Sequence, residues 1–174
     1  MVEEGIVGMA GRTGTGEVCV KNRALVVLCA DKGGGSQGVS QSDASVTRAV
    51  TAALGNQSST VNDMAQKVNC QVVPVDLGVL DFWGAAGVKN CRVRNGTGDI
   101  SQGPAMTRAQ CIQAIETGIS SSQEVKDTGA SIPLTGAVGI CNTNTSCAVA
   151  RVFLGGNPGQ LAGQGSGRPG ERSR

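Results

Sequence analysis

Hydrophobic positions along the chain fall into short continuous runs separated by amphipathic stretches. ALVVLCA, residues 24–30, is apolar throughout and closes on Asp31 and the glycines at 33–35. A run without polar alternation predicts a strand covered on both faces, as in a parallel sheet. From Ser42 the spacing changes, and Ala44, Val46, Ala49, Val50 and Ala53 recur at helical intervals up to Gly55. A second helical face, Val61, Met64, Ala65 and Val68, follows with Ser58 or Ser59 available as its N-cap. QVVPVDLGV, residues 71–79, predicts the next strand. Pro74 removes a ladder donor from it, so that strand either begins late or lies at an edge there. Residues 88–93 predict a short strand. Thr107 and Gln110 form a capping-box pair, and Ile112, Ile115 and Ile119 carry a helical face to about Asp127. Gly118 inside that helix costs about 1 kcal/mol of propensity. SIPLT, 131–135, predicts a further strand, and 145–154 a helix ended by Gly155 and Gly156.

Strand and helix patterns alternate, which predicts an α/β fold: a mostly parallel sheet flanked by helices, three-layered and Rossmann-like. Residues 1–155 read as one α/β domain. From 156 to 174 the composition turns to Gly, Gln, Ser, Pro and Arg, which reads as a solvated, disordered tail. There is no internal repeat, and 174 residues suffice for one core.

Composition narrows the chemistry. Hydrophobic residues make up 39% and charged ones 16%, and the only aromatics are Phe82, Trp83 and Phe153. The core is therefore built from Val, Ile, Leu, Ala and Cys, and base stacking on aromatic platforms is largely excluded. The net charge of +2 is scattered, with no nucleic-acid footprint. Seven cysteines, an odd number without C-x-x-C spacing, accompany no histidine at all. That argues against a zinc site or a Cys/His nucleophile, and cysteines within apolar runs act as small hydrophobes. MVEEGIVGMAG lacks a signal-peptide pattern, and no apolar run approaches the roughly 20 residues of a membrane span. The expectation is a reduced, cytoplasmic protein with no metal, no membrane and no nucleic-acid partner.

In open parallel sheets, ligands bind at the carboxyl ends of the strands. Three segments would lie there: 31–40, 76–84 and 136–143. DKGGGSQGVS, residues 31–40, is compatible with a phosphate-binding loop or with a plain glycine turn. GAVGICNTNTS, residues 136–146, reads as a strand-to-helix turn with free N–H groups or as a connection of small residues. GTG at 14–16 follows no strand, and no Walker A sequence is present. Asp31, Asp43, Asp76 and Asp99 are candidate general bases, each equally able to cap a helix or turn.

Five segments in order carry a resemblance: LCADKGGGSQGVSQSDASVT, PVDLGV, RNGTGDISQGPAMTRAQ, TGAVGICNTNTSCAVA and GQGSG. Across about Gly8 to Gly167 the chain resembles the nicotinate-nucleotide–dimethylbenzimidazole phosphoribosyltransferases, with patterns such as CADNGVVxxGVSQxxxxVT, TGEMGIGNTTxxxAVA and GRGTG. The resemblance implies an α/β sheet with a smaller helical subdomain, a homodimer, and no metal or organic cofactor. It implies transfer of phosphoribose from nicotinate mononucleotide to 5,6-dimethylbenzimidazole, giving α-ribazole 5′-phosphate and nicotinate. It places Ser40 at the benzimidazole pocket and Gly136, Val138, Gly139, Asn142 and Thr143 along both substrates. Gly163, Gly165 and Gly167 would offer N–H groups to the nucleotide phosphate. The family's catalytic glutamate lies in a C-terminal half beyond this chain, so the fold is expected to be incomplete relative to the family, with an open sheet edge and an uncovered apolar face.

Several positions depart from those patterns. Ala137 stands where the family has Glu, Val138 where it has Met, and Cys141 where it has Gly; Lys32 replaces Asn or His, Gly34 an apolar residue, and Gln164 Arg. The rivals to an impaired phosphoribosyltransferase are a non-catalytic azole- or phosphate-binding module and an inactive fragment whose glycines only serve turns.

Overall fold

The computed structural model describes residues 2–155 together with Asn157 and Leu161. Four parallel strands form one sheet: β1 (Arg23–Ala30), β2 (Cys70–Gly78), β3 (Lys89–Asn90) and β4 (Ile132–Val138), in the order β3-β2-β1-β4. β1 is central and pairs along its length with β2 and β4, Val27 lying opposite both Pro74 and Gly136. Its continuous apolar run reflects that position. β2 begins at Cys70, and the ladder to β3 starts only at Val75, so Pro74 sits where β2 is paired on one side. The missing donor is tolerated because the position is locally an edge.

Helices lie on both faces. α2 (Ala44–Gly55) and α3 (Thr60–Lys67) cover one side, and α4 (Arg108–Asp127) lies on the other. Each starts at a side-chain cap: Asp43 accepts from Ser45 N, and Ser59 and Thr107 form capping boxes with Asn62 and Gln110. β1 feeds two cores because alternate residues face opposite ways. Val27 and Cys29 pack with Leu54, Val79 and Phe82 on the α2 side. Ala24 and Val26 pack with Val75 and Val125 on the α4 side. The expected three-layer, Rossmann-like fold is therefore present.

Three elements differ from expectation at their boundaries, and the first is β3, which is only Lys89–Asn90 where 88–93 predict a strand. β4 runs to Val138, beyond SIPLT, and the last helix, α5, spans Asn142–Leu154 rather than starting at 145. Helix propensity is low for Asn and Thr, but near an N-terminus their side chains compete less with the backbone ladder, and Ser146 and Thr145 hydroxyls bond back to the Asn142 and Cys141 carbonyls. The N-terminal helix α1 (Val2–Thr13) has no counterpart in the sequence reading. Three glycines interrupt its pattern, and none of its described residues is buried. The GTG triplet ends that helix: Gly14, at φ 69, donates its N–H to Ala10 O at 2.9 Å. The tail expected at 156–174 lies outside the described residues apart from Asn157 and Leu161. Among the described residues no helix is long and apolar enough to cross a membrane, and no group of His, Cys, Asp or Glu could hold a metal ion.

Leu54 is 2% exposed and Trp83 is 92% exposed. Leu54→Ala is expected to cost about 2–5 kcal/mol by emptying the α2-side core, whereas Trp83→Ala should change stability by less than about 0.5 kcal/mol. Urea unfolding followed by circular dichroism reads both, and equal costs would place the core elsewhere.

Candidate active site at the carboxyl ends of β1 and β4

The chain leaves β1 toward β2 on one side and later returns to β4 on the other. Adjacent strands whose connections diverge open a crevice at their carboxyl ends, and in α/β sheets that crevice takes the ligand. Here it lies between Ala30–Lys32 and Val138–Cys141. The two chain segments touch. A Cβ on Gly139 would overlap the Ala30 carbonyl oxygen and come within 2.6 Å of Lys32 Nζ. Glycine is required by that approach. Thr47, buried on α2, fixes the same turn from beneath by accepting from Ile140 N at 3.1 Å.

Lys32 places a cation at this crevice. Its Nζ donates to Ala30 O at 2.8 Å. Burial pulls its pKa below 10.5, and the neighbouring Asp31 carboxylate pulls it back up. Asp31 is itself 4% exposed. Its Oδ2 accepts from Leu80 N at 2.8 Å, its backbone N–H donates to Gly78 O and its carbonyl accepts from Thr97 N, so it ties β1 to the loops after β2 and β3. Oδ1 is buried and without a hydrogen-bond partner among the described residues.

Cys141 caps α5 in the left-handed conformation, at φ 67, with no side-chain hydrogen bond to the helix start. A non-glycine residue there costs roughly 1–2 kcal/mol, which accounts for glycine in the resembled pattern. Burial and then Asp31 raise the Cys141 thiol, and burial raises Cys29, so both are neutral at pH 7.

The residues singled out from sequence divide. Gly139 lies in the crevice, and Asn142 and Thr143 form the first turn of α5 immediately beside it, half-buried and exposed respectively. Gly136 and Val138 are strand residues rather than loop residues. Val138 packs on the α2-side core, so its side chain serves the fold, and a Cβ at Gly136 would meet Leu25 and Val27 at ordinary contact distance. Ala137 is exposed on the opposite face of β4. Ser40 is half-buried in the loop leading to α2, its Oγ accepting from Ser42 N at 3.2 Å. Gly163, Gly165 and Gly167 lie outside the described residues.

Three of the four candidate carboxylates serve structure. Asp43 caps α2. Asp76 Oδ1 accepts from Gly78 N and Val79 N at 2.9 and 2.8 Å, and its Oδ2 faces Arg92. Asp99 accepts from Ser101 N and Gln37 Nε2, which hold its pKa down and close the 31–40 loop against the 97–101 turn. Gly33 permits that closure, because a Cβ there would meet Gly98 and Asp99 backbone at 2.5 Å.

A phosphoribosyltransferase family model matches residues 1–174. The chain belongs to this phosphoribosyltransferase family. It is 42% identical over 166 residues to the nicotinate-nucleotide–dimethylbenzimidazole phosphoribosyltransferase of Ruminiclostridium cellulolyticum, covering 95% of this chain and 47% of that protein. The protein of the same name from Acetivibrio thermocellus is 37% identical over the same coverage. The crystal structure of CobT from Thermus thermophilus superposes with a TM-score of 0.92 at 30% identity, over 97% of this chain and 51% of that one. The chain thus spans about half the length of the curated relatives it matches.

Within this phosphoribosyltransferase fold, sequence reasoning overlooked Arg92. Its guanidinium reaches Asp76, the carbonyls of Val79 and Phe82, and Asn95 Oδ1 at 2.5 Å, locking the turn after β2. Lys32, read in the sequence both as the lysine of the glycine-rich 31–40 segment and as a departure from the family pattern, lies in the crevice.

Two substitutions test the geometry. Cys141→Gly should be more stable than Cys141→Ala by about 1 kcal/mol, because only glycine relieves the positive φ; chemical denaturation measures it, and the reverse order would refute the strained cap. Lys32 binds its proton less tightly folded than unfolded, so its contribution to stability rises with pH from its lowered pKa up to 10.5. The raised thiols of Cys29 and Cys141 act oppositely above 9.0, and because the Lys32 charge holds both down, its removal raises them further and deepens that loss in the variant, which moves the difference in the same direction. The stability of the wild type minus that of Lys32→Met should therefore increase with pH in the alkaline range, and a flat difference would contradict a desolvated Lys32.

Proposed function

We propose that the chain serves transfer of the phosphoribosyl group from nicotinate mononucleotide to a benzimidazole, with 5,6-dimethylbenzimidazole as the acceptor that the family's names imply. The observation that carries this reading is the position of the Gly136–Thr143 motif at the switch-point crevice, against Ala30 and Lys32, in a chain matched along its whole length by the family. In the reaction, an azole nitrogen lone pair forms the new bond to the anomeric carbon as the bond to the pyridinium nitrogen breaks. The departing pair neutralises the pyridinium, and the azole N–H proton passes to a base.

The crevice supplies positioning and positive charge. Gly139 and the first turn of α5 offer a backbone surface for the sugar phosphate, and Lys32 adds a cation beside it. The base is the weaker part: position 137 is alanine, and three of the four candidate aspartates are occupied in turns and caps. A positioned general base is worth about 10²–10⁴-fold. The reading therefore includes substrate binding with transfer slowed by about that factor, in a reduced cytoplasmic setting and as the homodimer that the resemblance implies. Neither the 1–155 domain nor a 156–174 tail changes this assignment.

Incubation of the purified chain with nicotinate mononucleotide and dimethylbenzimidazole, with released nicotinate followed by chromatography, tests it. Slow, saturable release is expected. Saturable binding by calorimetry with no release would favour a binding module, and no binding of either substrate would remove the assignment.

A further inference from the structure

The crevice between β1 and β4 holds an acid and a cation on opposite faces of the sheet end. Asp31 stands one residue beyond β1 and two beyond Cys29, so strand alternation turns its side chain to the α2-side face with Val27 and Cys29. Lys32 turns the other way, and with Ala30, Leu77 and Ala114 it lines a cavity of about 150 Å³ on the α4 side. The Asp31 charge acts on Lys32 at one wall of the crevice and on Cys141 at the other. One carboxylate oxygen, Oδ2, is taken by Leu80 N at 2.8 Å. The other, Oδ1, is buried and has no partner among the described residues. Asp76, also buried, uses both of its oxygens. An orphaned carboxylate oxygen in a folded interior is costly, so Oδ1 marks a place where a donor belongs.

We infer that Asp31 Oδ1 accepts a hydrogen bond from a ribose hydroxyl of the phosphoribosyl substrate, which makes Asp31 the residue that selects ribose over deoxyribose. The inference rests on the substrate class proposed above and names its sugar contact. A ribose phosphate carries an anion at one end and vicinal O–H donors at the other, so it needs a cation and an acceptor in one crevice. Lys32 with the N–H groups around Gly139 supplies the first, and Oδ1 supplies the second. Neither a phosphate nor the nicotinate carboxylate suits Oδ1, because both are anionic acceptors and would add like charge. Oδ1 is shielded from solvent, so docking includes a rearrangement at the rim in which the long Lys32 side chain leaves the Ala30 carbonyl for the phosphate. A buried acceptor of this kind rejects a ligand that lacks the hydroxyl, since it then stays unpaired.

Calorimetry of the intact chain with nicotinate mononucleotide, its 2′,3′-dideoxyribosyl analogue, benzimidazole and inorganic phosphate tests the contact. The wild type should bind nicotinate mononucleotide at least ~10-fold more tightly than the dideoxy analogue, as for a hydrogen bond to a charged group. Asp31→Asn keeps an acceptor for Leu80 N and should shrink that preference to about fivefold or less, the worth of a neutral bond. Inorganic phosphate should bind Asp31→Asn as tightly as wild type or more tightly, because an anion beside Lys32 is gone. Equal affinity of the wild type for the two nucleotides would overturn the inference, and so would full retention of the preference in Asp31→Asn. If that variant instead loses affinity for benzimidazole while keeping the preference, Oδ1 belongs to the azole N–H and not to the ribose. Parallel loss of mononucleotide, analogue and phosphate binding would make Asp31 a structural residue only. Ribose preference without nicotinate release upholds the contact and counts only against the proposed transfer, whereas release by a wild type with no ribose preference does the reverse. No binding of either nucleotide would overturn both.

Discussion

The contact of Gly139 with the Ala30 carbonyl and Lys32 Nζ is the constraint around which the crevice is organised. It brings the end of β4 against the end of β1 at the one place where connections from β1 diverge. Any side chain at 139 would force the strands apart. With hydrogen at that position, the turn is shallow enough for Thr47 to hold Ile140 from α2 and for α5 to start at once. The same closeness half-buries Lys32 and buries Cys141, so the electrostatics of the site follow from its packing.

A second tie works from the other side of β1. Asp31 bonds to the backbone of Gly78, Leu80 and Thr97, and Asp76 to Gly78 and Val79, with Arg92 spanning the turn they define. Asp76 Oδ1 accepts two N–H groups, whereas Asp31 holds the turn through one carboxylate oxygen and its own main-chain N–H and carbonyl; breaking such bonds would leave buried polar groups without partners. The crevice thus has one wall fixed by a glycine contact and the other by paired acids. Its open side is the edge of β4.

Much of this was legible in the sequence. The unbroken apolar run at 24–30 implied a central parallel strand, and Thr107 with Gln110 located the start of α4, because each pattern has a single physical cause. GAVGICNTNTS was legible in place but not in boundary: β4 extends to Val138 and α5 begins at Asn142, since ladder pairing with Leu28 and Cys29 and the cap at Cys141 are long-range or conformational effects that periodicity does not record. α1 left little trace, because a helix that buries nothing shows no sustained apolar face. The positive φ at Cys141, the role of Arg92 and the approach of Lys32 to Gly139 depend on residues brought together by folding, and local spacing carries none of them.

The central claim is that ligand binding occurs at the carboxyl ends of β1 and β4. Amide hydrogen exchange of the intact chain, with and without nicotinate mononucleotide, tests it most directly. Slowed exchange in peptides covering 31–40 and 139–145, with little change in α3, is the predicted result. Unchanged exchange at both segments under saturating ligand, or protection confined to α3 and the start of β2, would contradict it.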